Sequence, residues 1–369
     1  MTSANDRVTV PSDELHAFVA EVFTGRGLPR ARAATAAEAL CYGDLRGFDS
    51  HGTFNLTRLY LPALDSGRID AVAEPETVSD TGACTALEAH RALGLWCAAE
   101  AMDNAADRAE EHGVGVVSVR GATHFGCAGH HALRAAERGV IGVVASNCGR
   151  QRIARPPQGG LAMLGTNPLA VAAPATGDHP FVLDMSTTAV PTGKVRVAAD
   201  SGQEVPAGWL VDDDGADVTD PSAFDRGQAH LRWLGGSPET GAHKGFGLGI
   251  VVELLAAALS GAGLGPERAA LGGDGRPHGR DDDVGFFLLA IDPSAIGIGS
   301  SFRAGATELF DTLLRCPPVD GEPVRYPGWW EAERARERRR SGVPIRAGVH
   351  RELVDLGLRA DTADPVFRS

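Results

Sequence analysis

The sequence predicts an α/β protein in which a sheet domain is inserted into a helical domain built from both ends of the chain. Two observations lead there. Near the N-terminus, Leu15, Phe18, Val19, Val22 and Phe23 recur at helical spacing, and helix-like segments return at the C-terminus. Between them, short apolar runs bounded by Gly, Pro and Asn read as buried strands: Val114–Val119, Val140–Ala145, Leu169–Ala173, Phe181–Met185 and Val284–Ile291. The division falls at residues 1–75 plus 318–369 for the helical part and 76–317 for the sheet, with a loop-rich excursion at 199–242.

In chain order, Pro11-Ser12-Asp13-Glu14 reads as a helix start with Ser12 as the cap and acids in the first turn. A second helix is expected from Arg30 to Leu45, interrupted by Arg46 to Gly52, and a third from Phe54 to Ser66. Thr77 to Glu88 is strand-like, and Leu93 to Glu111 is a long amphipathic helix. Apolar density makes Phe246 to Leu259 a buried helix. Gly272 to Asp283 is a polar loop, expected to be mobile. Helices at Arg303–Arg315, Trp330–Arg340 and His350–Leu358 complete the chain.

The bulk numbers narrow the function. With 369 residues the chain can bury a substantial core, and a net charge of −13 disfavours nucleic acid or an anionic membrane surface as partner. The six cysteines are scattered without a CxxC pair, so neither a metal site of ordinary zinc spacing nor a disulfide framework is expected. Met1 to Asp6 lacks the pattern of a signal peptide, and no run is long enough to span a membrane. A cytoplasmic enzyme is the expectation.

Several stretches can carry chemistry. Gly121 to His131 is a glycine-rich turn between a strand-like and a helix-like run; His124 in it is a candidate acid/base, against the alternative of a structural histidine. Ser50-His51-Gly52 sits at a helix break near Arg46, Arg58 and Tyr60. A hydroxyl, an imidazole and guanidinium forks suit a 2-oxo or 2-hydroxy acid; capped turns with surface arginines are the alternative. Gly165-Thr166-Asn167-Pro168 offers amides to a cofactor, and Asp184-Met185-Ser186 ends a buried strand with a carboxylate that needs a partner. His243-Lys244 precedes an expected helix start, a place suited to phosphate. The GxGxG there does not satisfy a Rossmann fingerprint, and no P-loop, GxSxG or HExxH is present.

Taken in order, these stretches resemble the malate/L-lactate dehydrogenase family, which is unrelated to the Rossmann dehydrogenases. The resemblance also rests on Gly193-Lys194, Pro206-Ala207-Gly208-Trp209, Ala290-Ile291-Asp292-Pro293 and Gly342-Val343-Pro344, and runs from about Leu15 to Leu358. It implies the fold of the malate/L-sulfolactate dehydrogenases, NAD or NADP as cofactor, and a homodimer or a dimer of dimers. It implies His124 or His51 as acid/base, with Asp184 orienting the reacting groups. It places Cys148, Asp184, Met185, Ser186, His243, Lys244 and Gly328 near the cofactor, alongside Thr166 and Asn167. Ser50, Arg46, Arg58 and Tyr60 are the substrate candidates. Three positions depart from the family pattern: Asn55 stands where an arginine is common, Phe286 replaces a histidine, and Trp329 follows Pro327-Gly328 where a glutamate is common. The implied reaction is hydride transfer to a 2-oxo acid; the alternatives are reduction of a cyclic imino acid and a non-catalytic dinucleotide-binding relative.

Overall fold

The computed structural model describes residues 7–175, 177, 179–296 and 301–358. Met1 to Asp6, on which the leader expectation rests, lies outside them. The apolar runs form one seven-stranded sheet in the order Glu76–Asp80, Cys84–Glu88, Val114–Ala122, Val284–Ile291, Ile141–Ser146, Leu169–Ala173, Phe181–Met185. Only Cys84–Glu88 and Val114–Ala122 run parallel; every other neighbouring pair in this sheet is antiparallel. The parallel doubly wound sheet of a Rossmann fold is thus absent from these strands.

Helices approach the sheet closely because glycines face them. A Cβ at Gly115 would lie 1.9 Å from the Ala105 carbonyl of the Gly94–His112 helix. One at Gly142 would lie 2.6 Å from the Ala132 carbonyl of the Ala128–Glu137 helix. Alanines on those helices complete the contact, and one apolar core runs from Leu15 and Phe23 through Trp96 to Phe286.

The two ends of the described chain meet. Arg7–Val10 pairs antiparallel with Val343–Arg346, and Arg338 of the Trp329–Ser341 helix donates to the Asp44 carbonyl of the Arg30–Arg46 helix. This strand pair escapes the sequence reading because each strand is short and its partner is remote.

Other differences have local causes. Ser12 is already the first helical residue: Pro11 stands before it as the cap with a non-helical ψ of 134°, and no side-chain cap bond forms. Thr77–Glu88 is a hairpin, turning at Thr81-Gly82 with Gly82 at φ +80°. The Phe54–Ser66 segment contains a π-helical turn, Leu56–Tyr60, before its α-helical part, Leu61–Asp65. The 199–242 excursion folds: strands Leu210–Val211, Asp217–Val218 and His230–Leu231 close over Val195, Val205 and Phe224. The helix expected at Phe246 starts at Ala242 and is not buried all round, since Ile250, Val251, Leu254 and Leu259 face outward. The Gly272–Asp283 loop is pinned: Arg68 binds Asp281 at 2.8 Å and Asp282 at 2.6 Å. Among the described residues no helix is long and apolar enough to cross a membrane.

Candidate active site

The Arg30–Arg46 helix stops at Gly47, whose φ of +89° only glycine adopts without strain. The chain then turns through Ser50 and His51. The Asp44 carboxylate fixes that turn by accepting the Thr53 amide at 2.7 Å and the Thr53 hydroxyl at 3.2 Å. Burial pushes Asp44 up to about 7, opposed by those two bonds. A Cβ at Gly52 would lie 2.2 Å from the Asp44 carboxylate, so that position excludes a side chain. Asn55 donates to the Ser50 carbonyl at 3.1 Å and the His51 carbonyl at 3.0 Å. The residue that departs from the family pattern therefore braces the turn.

His124 follows the end of the Val114–Ala122 strand. Thr123 anchors it, its hydroxyl accepting the Gly94 amide and donating to the Ala92 carbonyl, both at 3.0 Å. Two groups meet His124 Nδ1: the Tyr60 hydroxyl at 2.8 Å and the Gly126 N–H at 3.2 Å. The Gly126 N–H can only donate, so in the neutral ring Nδ1 is bare and Nε2 carries the proton. Burial holds the Tyr60 hydroxyl well above its usual range, so it keeps its proton. His51 sits across, its ring centroid 6.4 Å from that of His124, with the Ser50 hydroxyl 2.8 Å from Nδ1. Burial lowers both imidazoles; His51 falls to about 4, pushed further by the charges of His124 and Lys194.

Asp184, at the end of its strand, accepts the Gly129 N–H at 2.7 Å. Burial still raises its carboxyl to about 6. Lys194 enters from the Thr192–Asp200 helix, whose start is drawn in because Gly193 packs on Ser50: a Cβ there would lie 2.7 Å from Ser50 Cβ. Among the described residues Lys194 has no carboxylate partner; its Nζ lies 6.0 Å from the Trp209 ring centroid.

These groups line one cavity of about 440 Å³, within the common range for small-molecule sites. Of the expected residues, Ser50, His51, His124, Asp184, Cys148, Thr166, Met185 and Ser186 line it. Tyr60 stands behind His124, and Asn167 behind Thr166, its side-chain amide held by the Gly249 carbonyl at 2.9 Å and Glu253 at 3.1 Å.

Other expected residues lie off the lining of this cavity. Arg46 does not line the cavity: it lies in the last turn of its helix, buried, with its guanidinium 4.7 Å from the Tyr42 ring centroid. Arg58 is drawn to Glu352 at 3.2 Å and to the Phe54 ring at 4.0 Å. His243 and Lys244 fall inside the first turn of the Ala242–Val252 helix and are exposed, with Leu234 and Thr187 between that turn and the cavity. Gly328 packs from outside on the Phe181–Met185 strand, where a Cβ would lie 2.7 Å from the Val182 nitrogen. Lys194, Asn147, Gln151 and Asp281 line the cavity without having been singled out for it. Phe286 is fully buried and stacks on Phe125 at 4.9 Å, supporting the His124 turn with an apolar ring. Trp329 stacks on His179 at 3.7 Å.

The family profile described as malate/L-lactate dehydrogenase matches residues 10–354. The chain belongs to the malate/L-lactate dehydrogenase family. As a member of it, the protein is an oxidoreductase. It is 39% identical over 359 residues to malate dehydrogenase of Pyrococcus abyssi, covering 95% of each chain. The crystal structure of malate dehydrogenase from Entamoeba histolytica superposes with a TM-score of 0.86 at 28% identity, covering 95% of this chain and 97% of that one. Delta1-piperideine-2-carboxylate reductase from Pseudomonas syringae pvar. tomato superposes at 0.78, again at 28% identity, covering 94% and 99%. Other relatives of this dehydrogenase are named for NAD(+) or for NADP(+).

Proposed function

We propose that this protein interconverts a small 2-oxo acid and its 2-hydroxy acid with NAD or NADP as cofactor. The observation that carries the reading is the meeting, in one cavity, of two depressed imidazoles with a lysine that has no carboxylate partner among the described residues. The residues present suit the cofactor: Asp184 spends one oxygen on Gly129 and keeps acceptor capacity toward the cavity, beside Cys148, Thr166, Met185 and Ser186. His243 and Lys244, at a helix start, suit its phosphates. When bound, the nicotinamide gives or takes the hydride.

The protein's own groups do the rest. Lys194 holds the carboxylate. His124 moves the proton at Nε2. In reduction the charged ring gives it up, and Tyr60 turns its hydroxyl to accept from Nδ1–H. In oxidation the resting ring first exchanges its proton from Nε2 to Nδ1, where Tyr60 turns to accept it, and the freed Nε2 takes the substrate's hydroxyl proton. His51, tied to Ser50, lies on the other side and is the second candidate for the proton.

The test follows loss of reduced-nicotinamide absorbance with oxaloacetate, pyruvate and piperideine-2-carboxylate, each with NADH and NADPH. A 2-oxo acid is expected to be turned over; silence from all three, and from phenylpyruvate as well, with both cofactors sinks the reading. Preference for piperideine-2-carboxylate selects a second reading, a cyclic imine reductase. That reading is favoured by the likeness to the Pseudomonas syringae enzyme and by Asp184, a carboxylate where a protonated C=N would carry charge.

The proposal extends to a homodimer, supported by the outward apolar face of Ile250, Val251, Leu254 and Leu259. It also keeps the division into 1–75 plus 318–369 and 76–317, and a cytoplasmic setting, which six free cysteines suit.

A further inference from the structure

A second chamber of about 450 Å³ adjoins the catalytic cavity, and the two share Phe48, Ser50 and Lys194 as lining. Val197 and Ala198 stand three and four residues beyond Lys194, so one face of the Thr192–Asp200 helix carries both the lysine and the chamber wall. Trp209 and the buried Val205 complete the apolar wall, and Trp209 rests on the core of the excursion.

The charges around this chamber decide what it accepts. Its acids are Asp49, Glu204 and Glu331, and its second cation, Arg334, is engaged by Glu331 at 3.5 Å. Lys194 already serves the 2-carboxylate in the proposed reaction. Asp49 is held by Arg7 at 2.6 Å, so a second anionic group on the substrate finds, among the described residues of the chamber, no free cation and the unpaired Glu204 carboxylate. An aromatic ring finds the Phe48 and Trp209 faces and aliphatic walls, with Gln203 at the rim.

We infer that this chamber receives the substrate's side chain, and that the side chain is aromatic: the substrate is an aryl 2-oxo acid or the matching 2-hydroxy acid. The inference rests on the proposed reduction of a 2-oxo acid.

The experiment measures kcat/KM of the full chain for phenylpyruvate, pyruvate and oxaloacetate with its preferred reduced cofactor. It is repeated for Ala198→Phe, which fills the chamber, and Trp209→Ala, which removes its largest face. Phenylpyruvate is expected to exceed both small acids by about tenfold or more. The phenylpyruvate-to-pyruvate ratio is expected to fall about tenfold in Ala198→Phe and about fivefold in Trp209→Ala. If Ala198→Phe does not fold, the Trp209→Ala ratio decides. Turnover of pyruvate or oxaloacetate with no advantage for phenylpyruvate overturns the chamber and leaves the 2-oxo acid reading standing. A ratio unmoved by the folded variants also overturns it. No turnover of any 2-oxo acid overturns the reading and the chamber together.

Discussion

Two histidine pairs lie close in this chain and differ in almost everything that matters for chemistry. His124 and His51 face a cavity, and each has a hydroxyl at Nδ1. His130 and His131, one turn into the next helix, are buried in the core, where His130 Nε2 and His131 Nδ1 have no partner. Burial depresses all four, so a lowered pKa does not separate them. What separates them is a rotatable hydroxyl on one nitrogen and open space beside the ring. A hydroxyl can reverse its hydrogen bond when the ring changes charge. The Phe125 carbonyl, which accepts from His131 Nε2 at 2.8 Å, cannot reverse its bond, and it is burial, outweighing that carbonyl, that keeps the ring neutral.

The largest expected effect tests the cavity pair. His124→Ala should cut turnover about a hundredfold or more, with the thermal unfolding midpoint unchanged. Near-normal turnover would move the proton to His51. Lys194→Met should raise KM for the 2-oxo acid about tenfold or more, with a smaller effect on kcat; an unchanged KM removes lysine from carboxylate binding. Tyr60→Phe deletes the reversible partner and should slow turnover about tenfold. Because burial lowers His124, the acid limb of the oxidation profile should lie below pH 6.5.

The smallest effect tests the buried pair. The His131 pKa falls from 6.5 to about 4 on folding, so the unfolded chain binds more protons between those values. Stability is then complete above about pH 6.5 and is lost as pH falls toward 4. His131→Phe should cost about 1–3 kcal/mol at pH 7 through the unpaired Phe125 carbonyl. It should also flatten the acid loss in urea titrations at pH 7 and pH 5, with kcat nearly unchanged. An undiminished pH slope would assign the acid loss to other groups.

The same contrast explains what the sequence made legible. Leu169–Ala173, Phe181–Met185 and Val284–Ile291 are read to the residue because each is an apolar run with turn-forming residues at its ends, and the central Val284–Ile291 is buried along most of its length. The turns holding His51 and His124 are legible through their glycines. Arg46 misleads because its fate depends on Tyr42 four residues earlier, a helical stacking pair that was itself visible in the spacing. Lys194 could not be assigned a place, since only the packing of Gly193 on Ser50, remote in sequence, brings it to the cavity. Whether apolar residues on the Ala242–Val252 helix face core or solvent is likewise set by neighbours the local pattern does not contain.

The pairing of Arg7–Val10 with Val343–Arg346 bears on how the molecule comes into being. A chain emerging from the ribosome has made both histidine turns long before residue 343 appears. The Arg7–Val10 strand has no partner until residues 343–346 have been made. Closure of the N-terminal helices by this strand pair, next to the His51 turn, therefore waits for residues 343–346. A ribosome-bound chain stopped before Val343 should display the sheet while its first helices remain open to protease.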